Sequence, residues 1–206
     1  PVAAKTPQDS PLILTLPGSR RAEVARLAPV IGQTLAKIKA AHPTARVALP
    51  TVRGVKDLVK DLSRDWPITP QIIEDAQEKR ESFANARVAI AASGTVSLEL
   101  AANACPMVIA YKMNPLTLWL MKRAALIDTV TLVNLVSETR HIPEFIGPDC
   151  RADTIAAAVL ELMQPGPKRD AQIAAMALTM QRLGQGGAPP GLRAARSVLR
   201  CLAAKP

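Results

Sequence analysis

The chain has 206 residues, 49% of them apolar, which is enough for one substantial core, and its 26 Lys and Arg against 17 Asp and Glu give a formal charge of +9. Positive charge favours anionic partners such as phosphates or anionic headgroups, but two Trp, one Tyr and two Phe, none interleaved with a basic cluster, argue against nucleic acid, which is bound by stacking on aromatic rings. No run approaches the ~18 to 20 apolar residues of a membrane span, and the first residues lack the charged-then-apolar pattern expected of a secretory leader.

Residues 1–11 read as a linker rich in Pro, Lys and Asp, and the start at Pro1 rather than Met is expected of a piece cut from a longer protein with a further domain before it. From there strands and helices alternate. Strands are expected at 12–16, 46–49, 69–73, 87–91, 107–110 and 129–133, and helices at 21–41, 52–65, 75–85, 94–103, 114–125 and 152–163. Residues 141–145 read as irregular. Helices at 170–183 and 191–202, separated by a Gly-Gln-Gly-Gly-Ala-Pro-Pro hinge, close the chain. Short apolar strands separated by helices require right-handed crossovers, so the expected fold class is α/β: an open, mostly parallel Rossmann-like sheet with helices on both faces. The division expected is a linker over 1–11, a Rossmann-like domain over 12–183, and a hinge and terminal helix over 184–206.

Two Gly-Ser segments punctuate this pattern. Pro17-Gly18-Ser19-Arg20-Arg21 and Ala92-Ser93-Gly94-Thr95 each follow a compact apolar run and open a helix. In a parallel sheet such turns put backbone N–H groups where an anion binds, and glycine lets the ligand approach without a Cβ in the way. Arg20 and Arg21 add guanidinium groups that can grip a phosphate in bidentate fashion; two solvated arginines are the plainer reading. Glu99 lies in an apolar helix with no Lys or Arg three or four residues away, and vicinal ribose hydroxyls would supply the donors it needs. A solvated Glu is its plainer reading.

Tyr111-Lys112 and Asn134 follow the fifth and sixth expected strands, at the same edge. Cys105, Cys150 and Cys201 are odd in number and widely spaced, so neither a disulfide framework nor a zinc site is indicated, and a reducing cytoplasm fits them. There is no Asp-x-Asp pair and no His/Cys/Glu cluster. No metal ion and no cofactor is expected. Residues 114–136, apolar around Lys122-Arg123, read either as a buried helix, the favoured reading, or as a segment that touches an anionic membrane.

Leu16-Pro17-Gly18-Ser19-Arg20-Arg21-Ala22-Glu23, Ala92-Ser93-Gly94-Thr95 through Glu99, Cys105-Pro106-Met107-Val108-Ile109-Ala110-Tyr111-Lys112 and Val133-Asn134-Leu135 together resemble the lipid-A-disaccharide synthase family. The resemblance runs from about Leu12 to the last helix. It implies the carboxyl-terminal half of a GT-B glycosyltransferase, in which a diacylated glucosamine passes from UDP to an acylated glucosamine 1-phosphate acceptor. Carried over, Gly18, Ser19 and Arg20 hold the diphosphate together with Ser93, Gly94 and Thr95. Glu99 takes the ribose hydroxyls, and Tyr111, Lys112 and Asn134 line the cleft.

The resemblance also implies a cytoplasmic enzyme, peripheral on the inner membrane, whose acceptor-side domain and catalytic base precede this chain. The isolated chain is therefore expected to bind UDP weakly and not to turn over. Two other readings share the same turns: another GT-B enzyme such as a UDP-sugar 2-epimerase or a peptidoglycan glycosyltransferase, and a non-catalytic partner-binding domain.

Overall fold

The computed structural model describes residues 10–113, 123 and 128–203. Strands β1 (Leu12–Leu16), β2 (Arg46–Pro50), β3 (Pro70–Ile73), β4 (Val88–Ala91), β5 (Met107–Tyr111) and β6 (Glu144–Ile146) form one sheet in the order β3-β2-β1-β4-β5-β6. All five pairings are parallel. The helices are α1 (Arg21–Ala41), α2 (Lys56–Ser63), α3 (Ala76–Asn85), α4 (Val96–Ala102), α5 (Leu132–Ser137), α6 (Ala152–Met163), α7 (Pro167–Arg182) and α8 (Pro190–Ala203). This is the doubly wound α/β sheet that the alternation of elements predicts. Among the described residues no helix is long and apolar enough to cross a membrane.

Side chains alternate across a strand, and here both faces are apolar. Ile13, Val47, Leu49, Val88, Ile90 and Val108 pack against Leu27, Ile31, Leu35 and Ile38 of α1 and Ile155 and Val159 of α6. Their neighbours Leu14, Leu16, Ala48, Ala89, Ala91, Met107 and Ile109 point the other way. They meet Phe83 of α3, Leu100 of α4, Val133 of α5 and Met176 of α7. Helix α1 ends where the His42 N–H caps the Ile38 carbonyl at 2.7 Å, just before Pro43, and Asp75 caps α3 through the N–H groups of Gln77 and Glu78. The expected helix over 52–65 begins instead with a 3₁₀ turn over Arg53–Val55.

The sixth strand is not where β-propensity puts it. Thr129-Val130-Thr131 has the composition of a strand, yet Leu132–Ser137 is helical and the strand forms at Glu144–Ile146, in the segment read as irregular. The cause is the Glu144 carboxylate. It accepts from the Thr129 hydroxyl, from the N–H of Val130 at 3.2 Å, from the N–H of Thr131 at 3.0 Å and from the Asn134 amide at 3.2 Å. These bonds gather 129–131 into a turn before α5. The edge of β5 is left to the chain around Pro143, whose carbonyl accepts from Ile109 N–H at 2.9 Å. The helix expected at 114–125 lies outside the described residues.

Two stability predictions follow from this packing. A Cβ at Gly32, in the middle of α1, would stand 2.7 Å from Trp66 Cδ1 and 2.8 Å from its Nε1. Overpacking at about 1–3 kcal/mol outweighs the ~1 kcal/mol helix-propensity gain of alanine, so Gly32→Ala is expected to lower the urea midpoint. For Glu144, burial pushes the carboxyl up, but the donors from Thr129, Thr131, Val130 and Asn134 together hold it below its usual 4.5. A depressed folded value means that its contribution is complete above about pH 4.5 and is lost as pH falls through the folded value. Glu144→Gln is expected to cost about 1–3 kcal/mol at pH 7. Its denaturation midpoint, followed against pH, should also show a shallower fall on the acid side than that of the parent protein.

Candidate functional site at the carboxyl edge of the sheet

The strand order reverses between β1 and β4, and a parallel sheet opens a crevice at the carboxyl ends of the strands where that happens. Leu16 pairs with Ala91 across this junction, and Ala92 N–H donates to the Leu16 carbonyl at 2.8 Å. The chain then leaves β1 through Pro17-Gly18-Ser19 and leaves β4 through Ser93-Gly94-Thr95, so the two glycine turns stand side by side. Their conformations explain the residue type. Gly18 has φ +111° and Gly94 has φ +155°, values that L side chains rarely adopt.

The first turn has a lid that sequence reasoning did not single out. A Cβ on Gly18 would lie 2.7 Å from Glu23 Oε2, because the Glu23 side chain folds back over the turn. Arg20, whose side chain is 80% exposed, reaches the same carboxylate at 2.9 Å. The guanidinium is therefore positioned at the mouth of the turn by a carboxylate whose side chain is only 16% exposed, and Ser19 beside it is exposed. The only advance signal for this was the Arg-x-x-Glu spacing, which places both side chains on one face of the first helical turn.

On the second turn Gly94 and Thr95 are exposed, and the space around Gly94 is open: a Cβ there would meet no atom within 4 Å. Ser93 Oγ donates to the Val130 carbonyl at 3.0 Å, tying this turn to the segment that Glu144 organises. Ser97 Oγ closes the turn on the Gly94 carbonyl at 2.9 Å. Glu99 stands one turn into α4 with its side chain 49% exposed, but it is not the lone carboxylate that its own helix implies. Lys79 of α3 pairs with it at 2.7 Å, across an interval that no helical spacing rule detects.

The remaining candidates separate. Tyr111 and Lys112 end β5 at the same edge, Tyr111 half-buried and Lys112 exposed. Burial pushes the thiol of the nearby Cys150 up, and the charge of Lys112 acts in the opposite direction. Asn134 lies on α5 and not after a strand, and it is buried. Its amide brackets Ile142, donating to that carbonyl at 2.9 Å and accepting from its N–H at 3.0 Å, and also reaches Glu144. Asn134 thus holds the chain that leads into β6. A groove of about 580 Å³ bounded by Phe145, Leu162 and Lys168 contains none of the glycine-turn residues; strand-end geometry, not cavity size, locates the candidate site.

Comparison with known proteins shows the family and the fold. The sequence model described as lipid-A-disaccharide synthetase matches residues 3–188. The chain is 53% identical to the lipid-A-disaccharide synthase of Ruegeria pomeroyi, covering 92% of this chain and 49% of that protein. It is 38% identical to that of Rhodospirillum centenum, covering 94% of this chain and 48% of that protein. The chain thus spans about half the length of the curated relatives it matches. Among solved structures it resembles the calicheamicin glycosyltransferase CalG4 (TM-score 0.59, 19% identity, 97% of this chain and 45% of that one). A Staphylococcus aureus MnaA–UDP co-structure is similar at TM-score 0.58 and 14% identity, over 86% of this chain and 43% of that one. These two likenesses concern the fold, a Rossmann-like α/β domain of the GT-B kind. The chain belongs to the lipid-A-disaccharide synthetase family.

Proposed function

We propose that this chain is the nucleotide-sugar half of a lipid-A-disaccharide synthase, binding the UDP portion of UDP-2,3-diacylglucosamine at the β1/β4 crevice. The observation that supports the reading most directly is the pairing of Leu16 with Ala91, which sets the Gly18 and Gly94 turns next to each other at the reversal of strand order. In this reading Gly18, Ser19 and Arg20 hold one side of the diphosphate and Ser93, Gly94 and Thr95 the other. Glu99 accepts from the ribose hydroxyls and exchanges Lys79 for them. That exchange costs little, because an ion pair this exposed contributes about 1 kcal/mol or less. Tyr111 and Lys112 face the sugar side of the crevice, and Asn134 acts by fixing the wall around Ile142.

Chemically, the sugar passes to a hydroxyl of 2,3-diacylglucosamine 1-phosphate, the C–O bond to UDP breaks, and the diphosphate leaves with a growing negative charge. Arg20, released from Glu23, and the backbone N–H groups of the two turns stabilise that charge. Attack by the acceptor hydroxyl needs a base to take its proton. The reading assigns that base to an amino-terminal domain. The transfer takes place on the cytoplasmic side of the inner membrane, where anionic headgroups attract a chain with a charge of +9. The UDP-sugar 2-epimerase alternative has only fold-level likeness behind it, whereas relatives at 53% and 38% identity support the synthase.

Calorimetric titration of UDP checks the proposal. Saturable binding is expected, weakened by about 1–3 kcal/mol in Glu99→Ala, the range for lost hydrogen bonds to a charged group; equal affinity in both proteins would remove Glu99 from the site. In a radiolabelled assay with donor and acceptor, this chain by itself is expected to form no disaccharide. Product formation would show that the base lies within these residues.

A further inference from the structure

At the opposite edge of the sheet, where the strands begin, two arginines lie together without a carboxylate partner among the described residues. Arg87 immediately precedes β4, and Arg169 lies in the first turn of α7. Arg87 Nε donates to the Met163 carbonyl at 2.6 Å, and Arg169 Nη1 donates to the carbonyls of Leu162 at 2.5 Å and Arg87 at 3.1 Å. Both guanidiniums thus close on the carboxyl end of α6. That contact is favourable, but a helix terminus offers only about half a unit of negative charge against two whole positive ones.

The remainder is uncompensated. Among the described residues no carboxylate stands within ion-pair distance of either group, Arg169 is only 7% exposed, and Arg87 Nη2 is buried with no hydrogen-bond acceptor. Asp170 acts on Arg169 only at longer range. Burial lowers the pKa of both arginines, and the charge of Arg87 lowers that of Arg169 further. A cavity of about 220 Å³ lies beside Arg87, lined by that residue with Pro11, His42, Met163 and Gln164. Its lining offers a guanidinium, an imidazole and an amide, all able to donate to an anion, and no acidic side chain. It is smaller than the roughly 300–1,000 Å³ of pockets for drug-sized ligands but has room for a single tetrahedral oxyanion with water.

We propose that this cavity is a second anion site, for a phosphate group held by Arg87 with His42 and Gln164, separate from the nucleotide crevice. Residues 88–91 of β4 span the interval between Arg87 and the Gly94 turn, so the two sites sit at opposite ends of one strand, roughly 15–20 Å apart. The bound anion offsets the positive charge that the end of α6 leaves over and is an acceptor for the part of the Arg87 guanidinium that lines the cavity, whereas Nη2 stays enclosed in the protein. The same chemistry is offered by free inorganic phosphate and by a phosphomonoester on a larger molecule.

The test is thermal unfolding and calorimetric titration of the chain with inorganic phosphate and, separately, with glycerol 3-phosphate, at constant ionic strength and with UDP saturating the crevice. Phosphate is expected to raise Tm by roughly 2–4 °C. Arg87→Gln should weaken its binding ~10-fold or more. Gln164→Glu, an exposed position where the new side chain supplies its own carboxylate, should raise the phosphate-free Tm and abolish the phosphate response. Equal responses to the two ligands identify a phosphomonoester site, and a response to inorganic phosphate alone identifies a free-ion site. Absence of any response in the parent chain would overturn the proposal. So would a response that persists in both variants, which would leave the arginines as helix caps only.

Discussion

Hydrogen bonding between β1 and β4 is the constraint on which the rest of the molecule depends. These strands are distant in sequence, and their pairing forces the chain to wind outward in both directions, through β2 and β3 on one side and β5 and β6 on the other. Helices cover both faces, because each outward crossover must be right-handed. The crevice at the carboxyl ends is a by-product of that winding, and it forms where two turns that cannot be neighbours in sequence become neighbours in space. Gly18 and Gly94 are glycines because that junction needs backbone conformations with positive φ.

The two edges of the sheet handle charge in different ways. At the carboxyl edge the charged groups form ion pairs that reach solvent, Lys79 with Glu99, both about half-exposed, and the exposed Arg20 with Glu23, whose side chain is only 16% exposed. At the amino edge Arg169 is buried and Arg87 half-buried, and the two share one helix terminus, so their positive charge is held in place. Glu144 provides a third arrangement, a carboxylate saturated by four groups of its own chain. It spends its hydrogen-bonding capacity on shaping the wall of the crevice and is unsuited to acid–base chemistry there. Ser93 connects that wall to the second glycine turn through Val130, so this side of the crevice is one hydrogen-bonded unit from β4 to β6.

Much of this was legible in the sequence because it rests on local rules. The run from Leu12 to Leu16, the long helix stopped at His42-Pro43 and the two Gly-Ser turns depend on periodicity, capping and glycine, and they lie where those rules put them. What was hidden depends on contacts between distant segments. Thr129 to Thr131 looks like a strand until Glu144 claims its donors, and the short, half-buried β6 has too little apolar pattern to announce itself. Glu99 looks unpartnered from within α4, since Lys79 arrives from another helix. Arg87 and Arg169 are single basic residues in unrelated segments, and nothing in composition separates them from the surface arginines that supply most of the net charge.

In the proposed function the two glycine turns are a preassembled half-site for a nucleoside diphosphate. Amide hydrogen exchange of this chain with and without UDP tests this most directly. Slower exchange is expected, confined to the turns at 17–20 and 93–97 and to the neighbouring segment at 130–131. Exchange unchanged by UDP, or slowed only at the amino edge around His42, Arg87 and Gln164, would contradict it.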